Sequence, residues 1–478
     1  MLWLKKNMPE EFDDSVMNQA ILSAGNDVGD LAMGLFGDYT EVPYSESISE
    51  MIPATQKLID DGVVNICEAS FSYDGCFCSV DILRNLGGNK VELYEVKSST
   101  ELKDIYKEDV SYQNWVLTKL GFDVQKVCLV HINNQYVRHG ELELDKLFTI
   151  VDLTDVAKSK LSEVEDNIAK FREYLEQETE PECKVGSQCS SPYDCGYWSH
   201  CAVDMPEDGE PTVWSISRLR DKQWYYDNGY ITFQQLYDAG VLKGNYLQQV
   251  EVELKNLPPQ IKPKEVSKFL ETLSYPLYFL DFETFNPAIP LYDESSPYQQ
   301  IVFQYSLHYI EKEGGELKHK ECLSYPGTDP RRQIAEQLCK DIPLDVCTTA
   351  YNMGFEKGKI RDLAVLYPDL HDHLMNIHDN IKDIMIPFQK RWYYTKEMQG
   401  SYSIKYVLPA LFPDDPSLNY HNLEGVHNGG EASNTFLAMQ KMDKEELEKW
   451  REHLLRYCEL DTFAMVKVLE KLREVGKC

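Results

Sequence analysis

The sequence predicts an α/β chain of two domains joined by a helical connector, and three observations carry that prediction. The chain has 478 residues, 43% of them hydrophobic, which is enough for two or three cores. Short apolar runs bounded by glycine turns alternate with helix-length periodic patterns in two separate stretches, residues 1–205 and 273–478. Between them, residues 206–272 keep a helical pattern broken by Pro206, Pro211, Pro258-Pro259 and Pro263.

Composition narrows the function classes. A formal net charge of −31 argues against loose coating of nucleic acid, which needs many lysine and arginine contacts to phosphate, but leaves room for a local basic groove and metal-compensated acids. No apolar segment is long enough to span a bilayer, and Met1-Leu-Trp-Leu-Lys-Lys lacks the apolar core of a secretory signal. The expectation is a cytoplasmic protein without a membrane partner, whose 13 cysteines are reduced thiols or metal ligands.

Taken in order, residues 13–36 read as a helix with Ile21, Leu22, Val28, Leu31 and Leu35 on one face, ended by the turn-rich residues around Pro43. Strands are expected at 63–71, 76–86 and 91–97, with Gly75 and Gly87-Gly88 as turns, then a helix over 104–119 and strands at 124–131 and 147–151. Glu95 and Lys97 share a strand face, and Asp81 on the neighbouring strand can complete a site of two metal-binding acids and a phosphate-facing lysine. The plain alternative is a surface cross-strand charge cluster.

This constellation resembles the PD-(D/E)xK nucleases, in particular their RecB-like branch. The resemblance implies a restriction-endonuclease-like fold, with Asp81 and Glu95 as ligands of Mg2+ or Mn2+. Gln113, in Asp109-Val-Ser-Tyr-Gln-Asn-Trp, matches the glutamine that the branch carries on the following helix. Where the branch has a G-x-x-x-H histidine, Gly25-Asn-Asp-Val-Gly29 ends in glycine; Glu68 is the alternative ligand, or else a strand-edge charge.

Cys183, Cys189, Cys195 and Cys201 follow at equal spacing, in a stretch that Gly186, Pro192 and Gly196 keep from being a regular helix. Thiolates in an irregular loop suit a soft metal centre, and the spacing is not the paired C-x2-C of a zinc ribbon. The run resembles the carboxyl-side cysteines of iron-sulfur RecB-like nucleases, including those of CRISPR adaptation, which implies a structural 4Fe-4S cluster on Cys189, Cys195 and Cys201; structural zinc is the alternative. Such chains begin with a C-P-x-x-L-W-L-like segment, so the fourth thiolate is expected either just upstream of Met1 or from Cys183.

The connector contains Asn228-Gly-Tyr-Ile-Thr-Phe-Gln-Gln-Leu236, read either as a helix-packing turn or as a helix-hairpin-helix-like turn whose amides approach phosphate. Beyond it, Tyr278-Phe-Leu-Asp-Phe-Glu-Thr284 is an apolar strand that delivers Asp281 and Glu283 to one face near its end. The alternative is a strand whose acids face water. Further strands are expected at 301–310, 317–325 and 346–350. Ala350-Tyr-Asn-Met-Gly-Phe-Glu356 then runs from strand into helix with Glu356 at the junction. Asp383 reads as a helix cap or as a further acidic position. In the last helix, from about Glu445, Tyr457 and Asp461 are four apart and share a face.

That order of motifs resembles the DnaQ-like 3'-to-5' exonucleases of the ribonuclease H-like fold, in the subclass ending in Y-x-x-x-D. The resemblance implies that Asp281, Glu283 and Asp461 hold two divalent metals and that Tyr457 orients the attacking water. Where that family carries aspartate after N-x-x-F, this chain has Glu356. Nearly the whole chain resembles a bacterial family joining the two nuclease modules. The implied function is metal-dependent hydrolysis of DNA, at ends or on single strands, in repair or defence, with RNA left open. The competing expectation, motivated by Gly29 and Glu356, is a nucleic-acid-binding scaffold with one or both centres inactive.

Overall fold

A computed structural model describes residues 1–16, 19–202 and 210–477, the side chains of residues 16–23 excepted. The side chains of Ile21 and Leu22, and the expected boundary at 205/206 with Pro206, lie outside the described residues. The chain divides into two units, Met1–Val203 with Pro287–Gln299, and Asp204–Asn286 with Gln300–Cys478. The helical connector is thus not a unit of its own but packs within the second, and residues 287–299 leave the second half to join the first.

In unit one the elements are α1 (Leu2–Asn7), α2 (Gln19–Met33), β1 (Thr40–Glu41), α3 (Ile48–Asp60), β2 (Asn65–Tyr73), β3 (Cys76–Gly87), β4 (Lys90–Lys97), α4 (Asp104–Lys119), β5 (Asp123–Ile132), β6 (Phe148–Asp152) and α5 (Leu161–Glu176). Among the described residues they build a six-stranded sheet in the order β1-β2-β3-β4-β5-β6. The β2–β3 hairpin closes on Asp74-Gly75, both at positive φ (49° and 78°), the backbone that a two-residue turn between twisted strands requires. The pairing turns parallel at β4–β5 because α4 returns the chain across the sheet between them. Val110, Trp115, Val116 and Leu117 of α4 pack into a core with Leu83, Leu93 and Leu129 of the strands.

Three departures from the expected elements have physical causes. The 13–36 helix is shorter, running over Gln19–Met33 with single 3-10 turns at Asp14–Val16 and Gly34–Phe36. Helix α3 is an addition to the expected elements, with Pro53 inside it; the burial of Ile59, with Met51, Ala54 and Leu58 packed on the same core, outweighs the lost backbone bond. Helix α5 lay unread behind β6, with one fully buried residue, Val164.

Unit two starts with α6 (Lys222–Asp227), α7 (Phe233–Asp238), α8 (Gly244–Leu254) and α9 (Pro263–Leu270). Asn228–Leu236 spans the turn between α6 and α7, where Thr232 and Gln235 form a reciprocal cap and Phe233 and Leu236 are buried. Then come β7 (Leu277–Phe285), β8 (Ile301–Ile310), β9 (Leu317–Leu323), α10 (Arg331–Asp341), β10 (Cys347–Ala350), α11 (Gly354–Leu366), α12 (His371–Asp379), β11 (Ile381–Asp383), α13 (Ile404–Leu411), α14 (Gly429–Ala438) and α15 (Lys444–Gly476). The sheet order is β9-β8-β7-β10-β11, antiparallel through the first three strands and parallel through the last two.

β7 sits mid-sheet, which explains its nearly unbroken apolar run. Tyr278, Leu280 and Phe282 face one side and pack with Ile334 and Leu338 of α10, Ile360 and Leu363 of α11 and Leu374 of α12. Asp281 and Glu283 therefore face the other side, with Phe279 beside them. Helix α15, capped by Asp443 on the amides of Glu445 and Glu446, crosses that side; Gln304 Nε2 of β8 donates to the Leu454 carbonyl at 2.8 Å.

Candidate functional site

In unit one the structure brings Asp81, Glu95, Lys97 and Gln113 together. Lys97 Nζ donates to Glu95 Oε1 at 2.8 Å and reaches Asp109 Oδ2 at 3.1 Å, while Gln113 Nε2 donates to Glu95 Oε2 at 2.7 Å. Asp81 Oδ2 accepts the Val96 amide at 2.5 Å, which ties its strand to the one carrying Glu95. Burial and the Glu95 charge push the Asp81 carboxyl well above its ordinary range, against the Val96 amide. Burial works against the Lys97 ammonium, yet Glu95 and Asp109 outweigh it and hold its pKa above the usual value.

Glu68 lies on β2 at a left-handed φ of 54°, between Cys67, paired with Ile82, and Ala69, paired with Val80. That register sets it across from Asp81. Such a conformation inside a strand is costly for a side chain with a Cβ. Ser79 Oγ donates to Glu68 at 3.2 Å, burial raises its pKa, and Glu41, Glu95 and Asp30 raise it further. Asp109, Glu41 and Asp30 escaped the sequence reading; Asp30 directly follows Gly29, where the expected histidine is missing.

In unit two, Asp281, Glu283, Glu356 and Asp461 interact as one buried acidic group. Burial first, then Asp461, Glu283 and Glu356, push Asp281 far above the carboxylate range, and Glu283 follows the same pattern. Burial carries Glu356 to about 8 and Asp461 to about 6. Glu356 is 2% exposed, and its Oε2 has no hydrogen-bond partner among the described residues. A buried carboxylate oxygen without a donor is the feature a bound cation would explain.

The remaining partners come from separate elements. Tyr420 donates its hydroxyl to Asp461 Oδ1 at 2.7 Å, and Lys405 on α13 lowers the pKa of both Glu283 and Asp461. Tyr457 stands beside Asp461, Glu283 and Asp281, and burial holds its hydroxyl protonated far above the usual range. Asp281 and Asp461 line one cavity of about 280 Å³ with Arg218, Tyr351 and Tyr402; the Arg218 guanidinium stacks 4.1 Å over the Tyr402 ring. Asp383 is an anchor, accepting the amides of Asn352, Met353 and Met385, which orients the chain entering α11.

Carboxylate oxygens suit a hard divalent cation, so Asp281 and Glu283 fit Mg2+ or Mn2+, with Asp461 and Glu356 near enough to raise their pKa values. Ligand atoms of Asp281, Glu283 and Cys458 lie within 4.8 Å of one another. Burial keeps the Cys458 thiol protonated, which makes it a poor ligand for such an ion. In unit one Asp81 and Glu95 offer the same chemistry. Tyr420, Lys405, Arg218 and Cys458 were not read from the sequence.

All described cysteines are free thiols. Cys183, Cys189 and Cys195 lie close enough to Cys201 for their charges, after burial, to raise its pKa. Cys195 and Cys201 pack against Trp3 and Leu4 of α1 and against Tyr197. The Cys195 amide donates to the Cys189 carbonyl at 2.8 Å, closing the loop between them. Thiolates are the donor chemistry of a soft metal or an iron-sulfur cluster, but among the described residues no three of these four sulfurs lie within 4.8 Å of one another.

A family model described as a domain of unknown function, DUF2779, matches residues 278–403, about a quarter of the chain. The match includes Asp281, Glu283 and Glu356 and stops before Tyr457 and Asp461. An uncharacterized protein of Ureaplasma parvum serovar 3 is 28% identical over 247 residues, covering 47% of this chain and 35% of its own. An uncharacterized protein of Mycoplasma genitalium is 24% identical over 215 residues, 42% of this chain and 32% of its own, and a Mycoplasma pneumoniae homologue of that protein is 26% identical over 206 residues, 40% and 31%. The chain thus matches about a third of the length of these relatives. No solved structure matches it. Among the described residues, no helix is long and apolar enough to cross a membrane.

Proposed function

We propose that this protein is a divalent-metal-dependent nuclease that hydrolyses phosphodiester bonds of DNA, at ends or on single strands. In this reading unit one is a RecB-like PD-(D/E)xK module and unit two a DnaQ-like exonuclease module. What supports the reading is that Asp281, Glu283, Glu356, Tyr457 and Asp461, far apart in sequence, come close enough to shift one another's pKa values, with Asp281 and Asp461 lining one cavity. Three antiparallel strands followed by two parallel ones, with the acids on the central strand, support a ribonuclease H-like core. In unit one, a parallel strand pair joined by the helix that bears Gln113 supports a restriction-endonuclease-like core.

Asp281, Glu283 and Asp461, and in unit one Asp81 and Glu95, would hold Mg2+ or Mn2+, which when bound would activate water for phosphodiester hydrolysis. The chain's own groups position and balance. Tyr457 stays protonated and so acts as a hydrogen-bond donor toward a water. Tyr420 locks the Asp461 carboxylate in one orientation. Arg218, braced on Tyr402 in the same cavity, is the cation that meets a phosphate. Lys97 stays charged and faces the phosphate in unit one, while Gln113 fixes Glu95. Cys183, Cys189, Cys195 and Cys201 hold a 4Fe-4S cluster, with zinc as the alternative, in a structural role.

The test is cleavage of end-labelled DNA by the full chain, purified anaerobically, with Mg2+ or Mn2+. Activity is expected from the parent and lost in the combined Lys97→Ala and Asp281→Ala variant. Cleavage that survives in that variant removes both centres from consideration. Tight DNA binding without cleavage by the parent favours the scaffold reading, for which Glu356 and Gly29 speak.

A further inference from the structure

Unit two carries a second cluster of metal-ligating side chains that the nuclease reading does not use. His308 on β8 and His319 on β9 are directly opposite each other across the antiparallel pair. Their rings lie 4.5 Å apart between centroids, tilted by 34°. Glu459 approaches from α15, and one ligand atom from each of His308, His319 and Glu459 lies within 4.8 Å of the others. We infer that His308, His319 and Glu459 form a binding site for a zinc-like transition-metal ion, one that fastens α15 to the β8–β9 edge of the sheet.

The hydrogen bonds around the rings favour this over a plain polar cluster. His308 Nδ1 is paired with Thr462 Oγ1 at 2.8 Å and His319 Nε2 with Ser306 Oγ at 2.9 Å. Ser306 Oγ and Thr462 Oγ1 are themselves 2.7 Å apart, so one hydroxyl pair holds one nitrogen of each ring. Metal-binding histidines are oriented in this way, with the second ring nitrogen held by an outer partner. His308 Nε2 and His319 Nδ1 are left for a ligand. Glu459 Oε1 stands 3.9 Å from His319 Nδ1, too far for a hydrogen bond and suitable for two groups sharing an ion at about 2.0–2.2 Å from each.

The donor set selects the ion. Two imidazoles and a carboxylate suit zinc and its neighbours rather than magnesium or calcium, which take oxygen ligands. His308 is buried, the His319 side chain is 23% exposed and that of Glu459 49%, so one side of the cluster opens to solvent and gives the ion a way in. The open side of the cluster leaves the remaining coordination position to water. The position gives the site a structural consequence. Ser306 pairs with Asp281 across β8–β7 and Thr462 follows Asp461, so the hydroxyl pair that orients the two rings also links the strands and helix bearing these acids. The inference does not depend on the nuclease reading.

The experiment uses the full chain, stripped with a chelator and reloaded with ZnCl2. In crystals of the parent protein, anomalous diffraction at the zinc edge should give a peak bounded by His308, His319 and Glu459. Zinc at the cysteines or at Asp281 with none here overturns the inference. In solution, the His319→Ala, Glu459→Gln double variant should hold one zinc fewer per chain by elemental analysis. Its affinity at this site should fall by more than the ~10–100-fold that loss of an outer partner costs. An unchanged zinc content overturns it as well. The anomalous map needs no variant, so it decides even if the double variant fails to fold.

Discussion

The two acidic centres use the same kinds of side chain and balance them differently. In unit one Glu95 is held by Lys97 and Gln113, and Asp81 accepts the Val96 amide while burial and the Glu95 charge still raise its pKa. In unit two the acids chiefly face one another, with the Tyr420 hydroxyl on Asp461, Lys405 nearby, and one Glu356 oxygen without a partner. A group of buried like charges must take up protons or a cation. The unit one acids have a lysine, an amide side chain and a backbone amide as donors, whereas the unit two acids have fewer donors among the described residues.

The largest expected effect follows from that contrast. Asp281→Asn should lower metal-dependent cleavage assigned to unit two by about 10²–10³-fold, in the range set by losing one electrostatic partner of a transition state. Manganese titration by calorimetry should show the same variant losing its tightest site, and Lys97→Met keeping it. Equal manganese affinity in Asp281→Asn and the parent would erase the difference between the centres.

A pH series sharpens it next. Asp461 and Glu356 have folded-state values of about 6 and 8, above those of the unfolded chain. Between the unfolded and folded values the native state binds more protons, so the stability these groups contribute is full below about pH 4 and lost as pH rises through 6 and then 8. The metal-free protein should therefore melt lower at pH 8 than at pH 5.5, and Mg2+ or Mn2+ should raise the melting temperature by several degrees more at pH 8. An equal metal effect at both pH values would mean that no cation relieves the repulsion.

Lys97→Met probes the self-balanced centre. It leaves Glu95 buried with one donor fewer and should cost about 1–3 kcal/mol in chemical denaturation. Adding Glu95→Gln should recover part of that loss, and strict additivity of the two changes would show that the pair is not coupled. The smallest effect is expected of Tyr420→Phe, about 0.5–1.5 kcal/mol at low pH, where Asp461 is protonated and one hydrogen bond is all that is lost. A cost of several kcal/mol would show that the hydroxyl holds more than Asp461.

Legibility in the sequence followed the strength of the local signal. Asp104–Lys119 and Ile301–Ile310 were read to the residue, since each is a long run of one periodicity with turn residues at its ends. Asp81, Glu95, Asp281, Glu283 and Asp461 stand out because acids inside apolar strands, or four apart from a tyrosine on a helix, break an otherwise local pattern, and Lys97 because it shares a strand face with Glu95. Asp109, Lys405, Tyr420 and Arg218 break none. They sit among ordinary surface-like residues and reach their sites through the fold alone. The 287–299 segment shows the same limit: Arg138 binds the carbonyls of Pro290 and Leu291, and nothing in its composition names unit one as its place.

The sequence by itself determined the strongly periodic strands and helices and the apolar face of each, because both follow from side-chain period and turn chemistry within a few residues. Only the tertiary structure decided which acids share a pocket, which of them have donors, and that His308 and His319 face each other beneath Glu459. Those outcomes depend on strand register and on how one long helix crosses a sheet, and both are set by the burial of apolar area summed over many distant contacts.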